Sequence, residues 1–99
     1  MSQRLKRTYR SYNRRYFNNR LPNPPEVKIA WGDIEPLLGY QLSDEIVLSK
    51  KTHRQDSVWK MTLLHEMVHL SLPDEPEHGK VFQKGMLRLA KLGAFKNLW

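Results

Sequence analysis

The sequence contains no cysteine, and this absence excludes several classes of protein. A disulfide scaffold, an iron–sulfur protein and a zinc finger with cysteine ligands are ruled out. Any metal site must therefore use histidine, aspartate or glutamate. The sequence also lacks an apolar run near the ~20 residues of a membrane-spanning helix, and its charged N-terminus lacks the apolar segment of a secretory signal. We expect a cytoplasmic protein, or a nuclear one in a eukaryote, with no membrane partner.

Acidic residues are missing from both ends of the chain. Residues 1–25 carry seven basic residues and residues 78–99 carry five, while all ten acids lie between Glu26 and Glu77. With a formal net charge of +7, this pattern favours an anionic partner such as nucleic acid, although a solubilising surface would produce the same pattern. The 99 residues fit one domain, residues 1–99, which we expect to be a monomer.

The first half of the chain predicts one helix followed by short strands. Residues 3–19 have an apolar stripe at helical spacing, and the prolines at positions 22, 24 and 25 end that helix. Strands are expected at residues 26–32, 38–42 and 45–49. Because the connections are short, we expect a small, mostly antiparallel sheet.

The second half predicts two helices. A buried central helix should run from Asp56 or Ser57, either of which could cap it, to residue 72. A last helix should start at Asp74, as its cap, and end near Leu92, with Gly93 as its C-cap. The predicted fold class is α+β, with an N-terminal helix, a three-stranded sheet, a central helix and a C-terminal helix.

The segment His65-Glu66-Met67-Val68-His69 is an HExxH motif inside the predicted central helix. Residues four apart share a helix face, so His65 and His69 can bind one metal ion, with Glu66 close enough to act on a water molecule there. With four His and six Glu, such a motif occurs by chance in roughly one percent of shuffled sequences. The alternative is a pair of hydrogen-bonded core histidines, which would be costly to bury without a shared partner. We therefore expect a site for one Zn²⁺ ion.

A catalytic zinc ion needs a third protein ligand. The candidates downstream of the motif are Asp74, Glu75, Glu77 and His78. We favour His78, because the first turn of the predicted last helix would place it on the same side as Phe82, facing the core. His53 lies in a basic loop, and we expect it to be solvated.

Such a ligand set predicts the hydrolysis of an amide, most simply a peptide bond. Zinc would polarise the scissile carbonyl, and Glu66 would accept a proton from water and deliver it to the leaving amine. Tyr40 is a candidate oxyanion donor if its loop lies over the metal. An exposed edge of the sheet could hold an extended substrate by strand addition.

Several segments resemble the SprT-like metallopeptidases. Residues 63–69 (LLHEMVH) and 78–82 (HGKVF) are similar to the metal-binding segments of that family. Residues 12–22 (YNRRYFNNRLP) and 27–31 (VKIAW) are similar to its first helix and first strand, and Gly39 and residues 46–49 (IVLS) fit its next strands. The resemblance covers about residues 5–95.

The resemblance implies a minimal zincin-like core that works as a zinc endopeptidase. Its ligands would be His65, His69 and His78, with Glu66 as general base and a protein or peptide as substrate. Family members often act on DNA-bound proteins, including DNA–protein crosslinks, and many carry a Cys-rich zinc subdomain. This chain has none of those cysteines. We therefore expect either a minimal member or a core that works beside another protein, with DNA as a candidate partner.

Basic stripes on two predicted helices are the candidate DNA contacts. They comprise Arg7, Arg10 and Arg14 on the first helix and Lys80, Lys84, Arg88 and Lys91 on the last. Trp59 or Trp99 could stack on bases, although burial in a core is the usual position of such residues. An alternative function is a basic nucleic-acid- or protein-binding module whose histidines hold a structural or vestigial metal. A third is another type of hydrolase, such as a deamidase.

Overall fold

The computed structural model describes residues 2–74, 78–96 and 98 and confirms the α+β class. The elements are α1 (Ser2–Tyr16), β1 (Lys28–Gly32), β2 (Gly39–Leu42), β3 (Glu45–Ser49), a 3-10 helix (Lys50–Thr52), α2 (Asp56–Ser71) and α3 (Lys80–Lys91). Among the described residues, no helix combines the length and the apolar character needed to span a membrane.

The three strands form a mixed sheet in the order β1-β3-β2. Strands β2 and β3 are antiparallel, as expected, and only Ser43 and Asp44 connect them. Strand β1 runs parallel to β3, so the sheet is not mostly antiparallel. The argument from short connections holds for β2 and β3, which are neighbours in the sheet. The argument fails for β1, because β2, the next strand along the chain, lies at the opposite edge of the sheet and β1 pairs with β3 instead.

One face of the sheet forms the core together with α2. Ile29, Ile46 and Leu48 are buried on that face, and α2 contributes buried side chains around most of its axis. The predicted central, buried helix is thereby confirmed.

Gly39 allows β2 to approach α2 closely. A Cβ atom at this position would lie 2.8 Å from Thr62 Cγ2, closer than real Cβ contacts allow, and 3.0 Å from Leu48 Cδ2, which is also tight. Glycine therefore permits the contact between β2 and α2. As a result, the edge strand β2 lies beside the helix that carries the motif.

The start of α2 differs from the prediction. The N-cap is Gln55 rather than Asp56 or Ser57. The Asp56 carboxylate instead accepts hydrogen bonds from the Arg4 guanidinium at 2.7 Å and from the Trp59 indole at 3.0 Å. These donors hold the pKa of Asp56 below its usual value. A carboxylate engaged in this way does not cap the helix.

The start of α3 also differs from the prediction. The helix begins at Lys80 with Gly79 as its N-cap, so Asp74 is not the cap. His78 has a φ of +57°, in the left-handed region, which an α-helix cannot include. At the other end, Gly93 directly follows the C-cap residue Leu92 and has a φ of +85°. A glycine in this left-handed conformation is a common way for an α-helix to end.

Candidate metal centre

Three histidines from two parts of the chain converge at one end of α2. His65 and His69 lie one turn apart on that helix, and their Nε2 atoms are 3.2 Å apart. The Nε2 atom of His78 lies 3.1 Å from that of His65, and one ligand atom from each ring lies within 4.8 Å of the others. Nitrogens bound tetrahedrally to zinc at ~2.1 Å are ~3.4 Å apart. The spacing therefore fits three ligands of a single ion.

His78 reaches this cluster by a route that the sequence pattern did not predict. It does not lie in the first turn of a helix but two residues before α3, with its backbone in the left-handed region. Histidine is enriched there among non-glycine residues, and such backbone strain concentrates at functional sites. Its side chain is exposed, whereas His65 and His69 are half-buried, so the cluster opens to solvent on the His78 side.

Phe82 contacts all three imidazole rings. Its ring stacks on His69 with the centroids 4.2 Å apart and the planes 19° apart. The centroids of His65 and His78 lie 4.9 Å and 5.0 Å from the same ring. The sequence placed Phe82 on the core-facing side but did not reveal this contact. No sequence signal gives this contact, because His78 lies outside α3 and the contact depends on how α3 packs against α2.

Glu66 is buried in α2, with 8% of its surface exposed, and lies beside an open groove. The groove has a volume of about 370 Å³ and is lined by Leu37, Gly39, Tyr40, Gln41, Glu66, His69, Leu72 and Pro73. Edge strand β2 forms one wall of the groove, and α2 with its exit forms another. An extended chain lying in it would contact both Glu66 and His69.

Tyr40 lines this groove, but its hydroxyl is engaged elsewhere. It donates a hydrogen bond of 3.1 Å to Glu45 Oε1. Desolvation and the neighbouring Glu45 carboxylate raise the pKa of Tyr40. The structure therefore does not aim this hydroxyl at the histidines, as an oxyanion donor would require.

Burial decides two further side chains. Trp59 is 1% exposed, so it packs in the core, the usual position of such residues, and is not available to stack on bases. His53 is half-buried rather than fully solvated, because its ring packs edge-on against Trp31 with the centroids 5.2 Å apart. The remaining candidates Glu75, Glu77 and Trp99 lie outside the described residues.

The candidate DNA contacts are all exposed. Arg10 on α1 donates a hydrogen bond to the Pro24 carbonyl at 3.3 Å, and the Arg88 guanidinium on α3 lies 5.4 Å from the centre of the Phe17 ring. The other five are Arg7, Arg14, Lys80, Lys84 and Lys91. Exposure leaves these cations accessible to an anion, and their contact with DNA stays a prediction.

Comparisons with known proteins agree with this architecture. The model of the SprT-like family matches residues 5–97. A comparison with curated proteins gives no match. Among solved structures, the metallopeptidase zymogen of Pyrococcus abyssi abylysin superposes with a TM-score of 0.67 and 13% sequence identity, covering 95% of this chain and 87% of that one. At this identity, the likeness concerns the fold.

Proposed function

The chain belongs to the SprT-like family, and from this premise we propose that it is a zinc-dependent endopeptidase. The observation that carries the proposal is the convergence of three imidazoles within 4.8 Å, next to a buried glutamate and an open groove. Both the family and the fold shared with a metallopeptidase zymogen support a metal-dependent peptidase.

One zinc ion fits the donor set best. His65, His69 and His78 would hold it through three nitrogens, and imidazole is a ligand that zinc shares with copper, iron and nickel. The short distances between the nitrogens favour a tetrahedral ion with one position left for water. When bound, zinc would supply a positive charge that activates water and polarises the scissile carbonyl.

Glu66 is the proposed general base. It follows His65 directly in α2 and lines the groove together with His69. Its carboxylate would take a proton from the attacking water and return that proton to the nitrogen of the leaving amine. Burial of Glu66 on a packed helix holds the carboxylate in place, which is what a positioned base requires.

An extended peptide is the proposed substrate form. Among the strands of the described residues, β2 pairs only with β3, and it forms a wall of the groove, so a substrate strand can add to its outer edge. Leu37, Leu38 and Leu42, at and beside this strand, are more than half exposed. These side chains favour substrate segments that are unfolded and partly apolar.

DNA-bound proteins are the proposed natural substrates. The supporting observation is that all seven cations of the basic stripes on α1 and α3 are exposed. Single-stranded DNA should therefore stimulate cleavage of a DNA-binding protein, and the stimulation should fall steeply with salt, since each neutralised phosphate releases counterions. Equal cleavage with and without DNA would remove this part of the proposal.

The variant Glu66→Gln tests the enzyme against the alternative of a binding module with a structural metal. It should retain zinc and thermal stability but lose at least ~100-fold in cleavage of an unstructured protein, because general acid–base catalysis contributes 10² or more. Glu35→Gln is the matched control, since Glu35 lies on the surface and pairs with Lys51. Full activity of Glu66→Gln would exclude Glu66 as the base. A zinc-loaded wild type that cleaves nothing, with or without DNA, would favour the binding module.

A further inference from the structure

Gln41 is a polar residue on the face of the sheet that packs against α2. It pairs with Ile46 of β3, and Gly39, two residues earlier in β2, pairs with Leu48. Residues directly opposite each other in an antiparallel ladder have their side chains on the same face of the sheet. Ile46 and Leu48 are both fully buried in the core. Gln41 therefore directs its side chain toward the α2 side of the sheet.

The course of β2 along α2 brings Gln41 beside Glu66. A side chain at Gly39 would meet Thr62 of α2, so these two positions lie next to each other. From Gly39 to Gln41 the strand advances ~6.6 Å, and from Thr62 to Glu66 the helix advances ~6 Å. In agreement with these equal steps, Gln41, Glu66 and His69 line the same open groove.

The fold does not use the carboxamide of Gln41 for its own stability. The side chain is half-buried, and among the hydrogen bonds of the described residues none involves it. A polar group that is partly removed from water without a partner costs stability, whereas an apolar side chain at the same position would add to the core. Folded proteins break such local rules mainly at functional sites. The position of Gln41 in the groove therefore points to a contact with the substrate.

On the premise of the proposed endopeptidase, we propose that Gln41 is a further catalytic residue, whose side-chain N–H group donates a hydrogen bond to the scissile carbonyl oxygen. Negative charge develops on this oxygen when water attacks the carbonyl carbon, and a neutral donor held nearby stabilises that charge without transferring a proton. Tyr40, the other candidate donor in the groove, lies on the opposite face of the strand, where its hydroxyl is bonded to Glu45.

The variant Gln41→Met tests the proposal, because methionine keeps the length of the side chain but has no hydrogen-bond donor. Cleavage of fluorescein-labelled casein is measured with single-stranded DNA present. We expect kcat to fall at least ~100-fold and KM to change less than about threefold, because the donor acts on the transition state rather than on the bound substrate. Gln3→Met, the same exchange at an exposed position of α1, is the matched control and should keep the kinetics of the wild type.

Thermal melting separates a catalytic role from a structural one. Replacing an unpartnered carboxamide by an apolar side chain should leave the melting temperature of Gln41→Met unchanged or raise it. A lower melting temperature together with lower activity would indicate a structural role and overturn the proposal. Full activity in Gln41→Met would overturn it as well, and so would a loss of kcat in Tyr40→Phe that Gln41→Met does not show. A wild type that cleaves nothing would remove the endopeptidase proposal too, whereas wild-type cleavage that Gln41→Met retains would remove only the role of Gln41.

Discussion

The variant Phe82→Leu tests whether the ring that contacts three histidines organises the metal centre. Leucine keeps an apolar side chain in the buried position but removes the ring that stacks on His69. Without this ring, we expect the imidazoles to rotate more freely before the metal binds. The prediction is therefore weaker zinc binding in a chain that still folds.

The size of the effect follows from the aromatic stacking that leucine cannot provide. An aromatic pair contributes about 0.5–1.5 kcal/mol beyond the burial of its area. If that stacking orders the ligand His69, its removal weakens zinc binding by about 2- to 13-fold. The cost to folding should stay below about 1.5 kcal/mol, as for other apolar replacements of similar volume.

Phe17→Leu is the matched control, because Phe17 and Phe82 are both 6% exposed and only Phe82 contacts the histidines. Zinc affinity is measured by competition with a chelator, and the stability of the metal-free chain by thermal melting. Both variants should lose similar stability, but only Phe82→Leu should lose zinc affinity. An equal loss of affinity in both variants would refute the reasoning, as would full affinity in Phe82→Leu.

Further predictions concern a ligand, a glycine contact and a buried phenol. His78→Ala should lose most of its zinc by elemental analysis, and one full equivalent in this variant would show that the third ligand is another residue. Gly39→Ala should cost about 1–3 kcal/mol by pushing β2 from Thr62 and should also slow peptide cleavage. Gly93→Ala, at a φ of +85° in open space, should cost about 1–2 kcal/mol and leave cleavage intact. Burial raises the pKa of the Tyr9 hydroxyl in the folded chain. As pH rises from about 10, this hydroxyl therefore ionises in the unfolded chain before it ionises in the folded chain, and the free energy of unfolding falls. In the Tyr9→Phe variant, the free energy of unfolding, measured by urea titration at several pH values, should fall less with pH. An unchanged dependence on pH would contradict the prediction.

The elements that local pattern determines were predicted well. Strand β3 has the predicted bounds, 45–49, because its apolar run has clear breaks on both sides. The helix α2 ends one residue before the predicted position, since Pro73 limits it in either case. The motif within α2 needed only helical spacing to place His65 and His69 on one face.

Features set by contacts distant in the sequence were not predicted. The parallel pairing of β1 depends on which strand lies next to it, and no local pattern encodes that choice. The start of α3 was misplaced because residues 74–77 have the composition of a capped first turn, whereas the helix begins after His78. The contact of Phe82 with three rings depends on how α3 packs against α2, which spacing alone does not determine.

If His78 holds the ion as proposed, its position in the chain links metal binding to the stability of the fold. Eight residues separate His69 on α2 from His78, which directly precedes the cap of α3, so an ion bound to both would close that segment into a loop. Binding to the folded state alone, at a hundred times the dissociation constant, would add about 2.7 kcal/mol to its stability. That is a large share of the ~5–15 kcal/mol typical of folded domains. Removal of the proposed ion would then lower the stability of the fold as well as abolish the proposed activity.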